Sequence, residues 1–391
     1  MKEVVIVSAV RTPIGGFMGS LSSLKATELG AIAIKEAVAR AGIKGEDVSE
    51  VIMGCVLPAG LGQAPARQAA IFAGLPDTVP CMTINKVCGS GLKSVMLAEQ
   101  AIKCGDAEIV VAGGFESMSN APYYLMKARQ GYRMGNGEII DGMVNDGLWD
   151  VYNDYHMGSA AELCAREMNI TRDDQDDFAE QSYRRTLDAN EKGYFKDEIV
   201  PVEIKTKKET ITVTEDDDPK KANFEKGRTL RPSFEKEGTV TAFNASSIND
   251  GASAIVLMSA EKAKELGLTP LAKIVAQGSF AHKPEWFTTA PAYAIEKVLK
   301  KANLTTADID LYESNEAFAV QSCAVMQLAK LDPEKVNVRG GAIALGHPIG
   351  ASGARILTTL LHAMKDNNVK RGLATLCIGG GEASALIVER D

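Results

Sequence analysis

Ala33-Ile34-Lys35-Glu36-Ala37-Val38, followed by Ala41-Gly42-Ile43 and Asp47-Val48, returns 261 residues later as Ala294-Ile295-Glu296-Lys297-Val298-Leu299, Ala302-Asn303-Leu304 and Asp308-Ile309. Ser90-Gly91 matches Ser352-Gly353 at an offset of 262, and Gly113-Gly114-Phe115-Glu116 matches Gly379-Gly380-Gly381-Glu382 at 266. Three matches in one order, at nearly one offset, imply a duplicated unit. Each copy alternates short β-branched runs with stretches of helical period, the pattern of an α/β layer. Glu108-Ile109-Val110-Val111-Ala112 is expected as a strand of the first copy, and Leu373-Ala374-Thr375-Leu376-Cys377 as its counterpart. Such continuous apolar runs suit strands covered by helices on both faces.

Outward from the repeat, composition narrows the class. At 391 residues the chain fits two or three units of ordinary size. Hydrophobic residues make up 45% and charged residues 24%, as in a well-cored globular protein. A formal charge of -8 argues against a general nucleic-acid binder, although a local basic cluster can still attract a phosphate. Met1-Lys2-Glu3 leads straight into Val4-Val5-Ile6-Val7, which reads as a first buried strand and not as an export signal. No run approaches the roughly 20 apolar residues that cross a bilayer. Seven cysteines without CxxC spacing fit neither a disulfide framework nor a zinc site, so a reducing compartment, the cytoplasm, is expected. Between the copies, Glu198 to Gly238 is charge-rich and aperiodic, with Glu215-Asp216-Asp217-Asp218 and the lysine-rich stretch Lys205 to Lys208. A solvated insertion and a ligand-gripping loop are equally compatible with that character.

Four segments carry chemistry. Cys88, in Asn85-Lys86-Val87-Cys88-Gly89-Ser90-Gly91-Leu92, stands just before a helical stripe of Leu92, Val95, Met96 and Ile102. At a helix N-terminus the free N–H groups favour a thiolate, so a thiol pKa below about 8.5 is expected there. His347, in Gly346-His347-Pro348-Ile349-Gly350-Ala351-Ser352-Gly353, occupies the duplicate position. If the halves pack about a pseudo-twofold axis, the two helix starts meet, and the imidazole can take the proton of Cys88 or polarise a carbonyl. Cys377 ends an expected strand before Gly379-Gly380-Gly381, whose backbone N–H groups are free to meet an oxyanion. Asn315, in Glu313-Ser314-Asn315-Glu316-Ala317-Phe318, also lies at a strand end; it can hold a water or carbonyl, or cap the next helix.

These segments, together with Tyr155-His156-Met157-Gly158 and Asn244-Ala245-Ser246-Ser247-Ile248-Asn249-Asp250, resemble the thiolase family over essentially the whole chain. The resemblance implies two similar βαβαβαββ halves in a five-layer α/β/α/β/α arrangement with an inserted loop domain. Residues 1–118 would begin the N-terminal half. Residues 119–249 would be the inserted loop domain, with the strand that completes the first half near its end, and residues 250–391 the C-terminal half. Cys88 would be acylated after His347 takes its proton, and Cys377 would act as acid and base at the methyl of a second acetyl-CoA. Asn315 would orient a water that forms one oxyanion hole with His347, and the N–H groups of Cys88 and Gly379 would form the other. Leu148, His156, Met157, Phe234, Ser246, Ala317 and Phe318 would surround the coenzyme A chain, with Lys220 near its nucleotide end. Met157 would fill the space of a longer acyl tail, which favours two acetyl-CoA condensing to acetoacetyl-CoA plus coenzyme A, or the reverse. Coenzyme A is then a substrate, with no prosthetic group, no metal, no nucleic acid and no membrane, in a homotetramer built as a dimer of dimers.

Three positions depart from the family pattern: Phe243 where glycine is usual, Phe115 where methionine is usual, and Glu382-Ala383-Ser384 where a glycine-containing run is usual. The rival readings are a longer-chain 3-ketoacyl-CoA thiolase, a β-ketoacyl synthase, which lacks a second catalytic cysteine, and a cysteine hydrolase, which lacks this duplication. A non-catalytic scaffold of the same fold is the remaining one.

Overall fold

The computed structural model describes residues 2–391. In the first copy β1 (Val4–Arg11), β2 (Glu50–Gly54), β3 (Cys81–Ile84), β4 (Ile109–Ser117) and β5 (Asn249–Ser259) lie in the order β3-β2-β4-β5-β1. β2 is parallel to β3 and β4, and β5 is antiparallel to β4 and β1. In the second copy β6 (Ala272–Ala281), β7 (Leu311–Ser314), β8 (Arg371–Ile378) and β9 (Glu382–Glu389) lie in the order β7-β8-β9-β6 with the same directions. A parallel bridge from Tyr312 to Val336 stands where the first copy has β3. The two sheets touch edge to edge through β1 and β6, which pair at Val5–Lys273 and Ile6–Ala272.

The helices around them are α1 (Ala26–Ala41), α2 (Pro65–Phe72), α3 (Ser90–Cys104), α4 (Met157–Met168), α5 (Arg172–Glu191), α6 (Ala290–Ala302), α7 (Ala319–Ala329) and α8 (Ser352–Asp366). Successive strand residues point to opposite faces, so each apolar strand serves two layers. Val51, Val111 and Val256 pack outward on α1 and α2. Ile52, Val110 and Ile255 turn inward to α3 and α8, and Ala374, Leu376 and Leu386 of the other sheet meet the same two helices from the opposite side. Leu373, Ala385 and Ile387 then pack outward on α6 and on Val325 of α7. The result is the expected α/β/α/β/α stack. Among the described residues no helix is long and apolar enough to cross a membrane.

Two sequence expectations need correction. The pairing of Gly113–Glu116 with Gly379–Glu382 is not structural equivalence. Gly113 and Gly114 lie inside β4, where a Cβ would fall 2.1 Å from Ser253 O and 2.0 Å from Gly350 O, whereas Gly380 and Gly381 turn the chain with φ of 89° and 84°. The first pair of glycines is there for close packing and the second for a backbone turn. The boundary at 249/250 also falls one strand early. Residues 249–259 are β5, hydrogen-bonded between β4 and β1, and so complete the first sheet.

The acidic run of the inserted segment fastens that segment to the first copy. Asp216 binds the buried Arg11 end-on through both Nη atoms, at 2.7 and 3.0 Å, and Arg11 Nε reaches Glu198 at 2.6 Å. Asp217 accepts from the N–H groups of Gly16 and Ser20, and Asp218 accepts from Ser247 and Asn249. Neither a freely solvated loop nor a grip on ligand describes these three carboxylates.

In the middle layer α3 and α8 start within van der Waals range of one another. A Cβ on Gly91 would sit 2.7 Å from Ala354 N, and one on Gly353 would sit 2.2 Å from Leu92 N. The contact is reciprocal, as the 262-residue offset requires. Gly353→Ala sets two effects against each other: alanine is the better helix former by about 1 kcal/mol, but overpacking a tight contact costs about 1–3 kcal/mol or more. With backbone as the obstacle the clash wins, and urea unfolding is expected to show a net loss of about 2 kcal/mol. Unchanged or increased stability would mean that the helices are free to part.

Candidate active site

A cavity of about 300 Å³ opens at this helix crossing. Cys88, His347, Cys377 and Gly379 line it together with Leu148, His156, Met157, Phe234, Ser246, Ala317 and Phe318. Of the residues the sequence singled out, Asn315 and Lys220 are not on its wall. Lys220 is exposed and ion-paired with Glu215. It is Lys221 and Lys226 that border a second, smaller cavity beside Tyr183 and Phe243. Phe243 there stacks on Tyr183 with ring centroids 5.6 Å apart and presses on Gly227, filling space that a glycine would leave open.

Cys88 is carried on a strained turn. Val87 before it has a φ of 45°, a rare conformation for a β-branched residue. The turn is held by the Asn85 side chain, which accepts from Val87 N at 2.9 Å. Ser90 Oγ, which accepts from Lys86 N and donates to Val87 O at 2.7 Å, braces it from the other side. α3 then begins at Ser90. Gly89 must lack a side chain, because a Cβ would meet Ile378 Cδ1 at 2.4 Å. The backbone N–H groups of Gly379 and of Cys88 itself pull its pKa down, but burial outweighs them and the thiol is pushed up to about 11. The depressed pKa expected from the sequence is not what the structure gives: desolvation at this turn is stronger than the helix start.

His347 follows Gly346 in the turn before α8 and is buried. Its Nδ1 lies 2.6 Å from Ser352 Oγ, and that hydroxyl donates to Pro348 O at 3.0 Å. With the hydroxyl proton committed, Nδ1 carries the ring proton and donates it to Ser352, which leaves Nε2 as a bare acceptor. Nε2 has no protein partner. Burial, with the charge of Arg355 adding to it, pushes the imidazole down to about 3, so the ring is neutral at rest. Ser352 did not stand out in the sequence, although it is the duplicate of Ser90, and both serines brace the turn that carries the reactive side chain.

Cys377 lies near the end of β8, in register with Ala383 of β9. Burial first, and the neighbouring Cys88 second, hold its thiol well above the ordinary range. Asn315 N donates to Thr375 O at 3.0 Å, which fixes Asn315 beside the same strand. Its amide is wholly buried with neither end bonded to protein. The capping reading fails, since α7 begins at Ala319 with no side-chain cap. Met157 opens α4 with its sulphur 3.9 Å from where a Cβ on Gly379 would be. His156 stacks on Phe234 at 4.7 Å. Glu116, another residue without a signal in the sequence, ties the loops together: it accepts from Val56 N, Leu57 N and Gly350 N at 2.9–3.1 Å, and its carboxyl is pushed up to about 7 by burial.

Two family models match, "Thiolase, N-terminal domain" over residues 4–261 and "Thiolase, C-terminal domain" over residues 268–390. The chain belongs to the thiolase family. Within it, the chain is 57% identical to the acetyl-CoA acetyltransferase of Cupriavidus necator, over 100% of both chains. It is 56% identical to acetyl-CoA acetyltransferase 2 of Arabidopsis thaliana, over 99% of this chain and 97% of that one. The crystal structure of the Bacillus anthracis acetyl-CoA acetyltransferase superposes with a TM-score of 0.98 at 44% identity, covering 100% of this chain and 99% of that chain.

A neutral thiol beside a neutral imidazole has a visible consequence. Below its pKa the thiolate fraction of Cys88 grows about tenfold per pH unit. Alkylation of Cys88 by iodoacetamide, followed by peptide mapping, should therefore accelerate with unit slope from about pH 7 to pH 9.5. A plateau already reached at pH 7 would reveal a preformed thiolate–imidazolium pair instead.

Proposed function

We propose that this thiolase joins two acetyl-CoA into acetoacetyl-CoA and coenzyme A, and runs the reverse thiolysis, through an acetyl thioester on Cys88. The observation that carries the reading is the placement of Cys88, His347 and Cys377 on the wall of one narrow, mainly apolar cavity. The names of its full-length relatives support it.

Each proton can be followed. Cys88 Sγ attacks the thioester carbonyl of the first acetyl-CoA while its proton passes to Nε2 of His347. The tetrahedral intermediate collapses, the C–S bond to coenzyme A breaks, and the departing thiolate takes the proton of Cys377. A thiol that burial keeps protonated is suited to that donation, and the thiolate it leaves is a strong base. Cys377 then removes a methyl proton from the second acetyl-CoA. The enolate carbon attacks the acetyl carbonyl on Cys88, and the released sulphur recovers its proton from His347. All three groups return to their starting state.

An enolate forms only where fixed donors meet its oxygen, and each such donor is worth about 3 kcal/mol in the transition state. We assign one hole to His347 with a water oriented by Asn315, whose unpartnered buried amide suits that task. The other is assigned to the N–H groups of Cys88 and Gly379, which border the same cavity and favour the thiolate. Met157, set against Gly379, supports short acyl chains. Seven free thiols support a reducing cytoplasm. Exposed Tyr123, Leu125, Met126, Met134 and Ile139 in one stretch of the inserted segment support a homotetramer, because uncovered apolar side chains mark an interaction surface.

Thiolysis of acetoacetyl-CoA should outpace that of longer 3-ketoacyl-CoA substrates; a preference for the longer ones would overturn the chain-length reading. Cys88→Ser should lower turnover by about a thousandfold or more while far-UV circular dichroism stays unchanged. Retained turnover removes Cys88 as nucleophile. Cys377→Ala should still trap the acetyl group, seen by intact mass, because a thiolate can depart unprotonated, yet fail to exchange methyl protons of acetyl-CoA with deuterated water. Normal exchange removes Cys377 as the base.

A further inference from the structure

Ser246 lines the cavity, but the end of its motif, Asn249, and the acidic residue Asp218 have no task in the mechanism. Asn249 is wholly buried at the start of β5, and its amide is engaged at both ends. Nδ2 donates to Gly15 O at 3.1 Å and to Asp218 Oδ2 at 2.8 Å, while Oδ1 accepts the backbone N–H of His347 at 2.8 Å. Ser247 Oγ bridges the pair, 2.6 Å from Asp218 Oδ2 and 2.9 Å from Asn249 Oδ1. Lys221 Nζ binds the outer oxygen of Asp218 at 2.7 Å. The amide lies flat on the turn that carries His347, since a Cβ on Gly346 would stand 2.4 Å from Asn249 Nδ2, and Gly346 itself has a φ of 105°.

We infer that Asp218 and Asn249 are positioning residues for His347, the carboxylate fixing which way the amide faces and the amide fixing the backbone from which the imidazole projects. The inference rests on the reading of His347 as the base for Cys88. A carboxamide flipped by half a turn would set N–H against N–H at His347. Asp218 and Gly15 O are acceptors only, so both hold Nδ2 on their side and exclude the flipped state. A shift of about 1 Å in a reacting group costs about a hundredfold in rate, and among the described residues Ser352 alone hydrogen-bonds the ring of His347. Asp218 belongs to the inserted segment, which also supplies Met157, Phe234 and Ser246 to the cavity wall. The same segment that surrounds the substrate therefore also sets the base.

Steady-state thiolysis of acetoacetyl-CoA by the full-length protein tests this. Asp218→Leu, which removes the acceptor at similar bulk, should lower kcat about tenfold with KM for both substrates within about twofold. Asp218→Asn, which can still offer an oxygen to Asn249, should stay within about threefold of wild type. Asn249→Asp turns an oxygen toward two acceptors and should lower kcat by about a hundredfold. Combining it with Asp218→Asn should restore at least about tenfold of that, because the new amide can donate to the new carboxylate. A purely structural staple predicts lowered melting temperature with no split between kcat and KM. Wild-type kcat in Asp218→Leu, or a double variant no more active than Asn249→Asp alone, overturns the inference; should Asp218→Leu not fold, the double variant decides. Wild-type protein inactive toward acetoacetyl-CoA and coenzyme A overturns the reading of the site itself.

Discussion

Everything in the site depends on two helix starts coming closer than side chains permit. Gly91 faces the backbone of Ala354, and Gly353 faces that of Leu92. Only because neither position carries a Cβ can α3 and α8 enter the middle layer at the same point. The residues just before each helix, Cys88 on one and His347 on the other, then border one cavity. Gly54 and Gly114 extend the same economy of space, since a Cβ on either would run into Gly350 O or its neighbours. Close approach is paid for by the surrounding strands, whose apolar residues cover both helices from above and below.

The electrostatic character of the cavity follows from that crowding. Helix N-termini favour anions, and the backbone N–H groups at Cys88 and Gly379 do pull the thiol pKa downward. Enclosure by apolar side chains favours the neutral form of every ionisable group present. It holds both thiols protonated and the imidazole unprotonated. The resting site is therefore neutral, and charge arises only as the thioester is attacked. On the proposed mechanism the donors that fail to ionise the free thiol would instead meet an oxyanion, so that their strength would serve the reaction and not the resting state.

Much of this was legible in the sequence, and the failures have physical causes. The offset of 261–262 residues located equivalent helices, because the repeat preserves helix starts and the small residues that let them meet. The offset of 266 misled because glycine serves two unrelated purposes, packing in β4 and turning after β8, and composition alone cannot separate them. The resemblance implied a strand completing the first half near residue 249; β5 is such a strand, but it runs on to Ser259, past the expected boundary, since nothing local marks where the first sheet ends. Glu116, Asp218 and Asn249 act through hydrogen bonds to residues distant in the chain. Such partners leave no periodic trace. Lys220 was expected near the nucleotide end of coenzyme A on the family resemblance alone, and its ion pair with Glu215 had no signal in the sequence.

The sharing of α3 and α8 between both sheets has a consequence for the architecture as a whole. Each sheet lends one face to helices that the other sheet also needs, and the sheets themselves are stitched by two residue pairs alone. Each copy buries the outer face of its sheet under helices of its own, but the inner faces share one interior. A single copy standing alone would present the uncovered flank of its central helix to water, and the natural remedy would be a twin seated on that flank. The fused chain is such a pair made permanent, and fusion freed its two sides to diverge, one keeping a thiol at the turn and the other an imidazole.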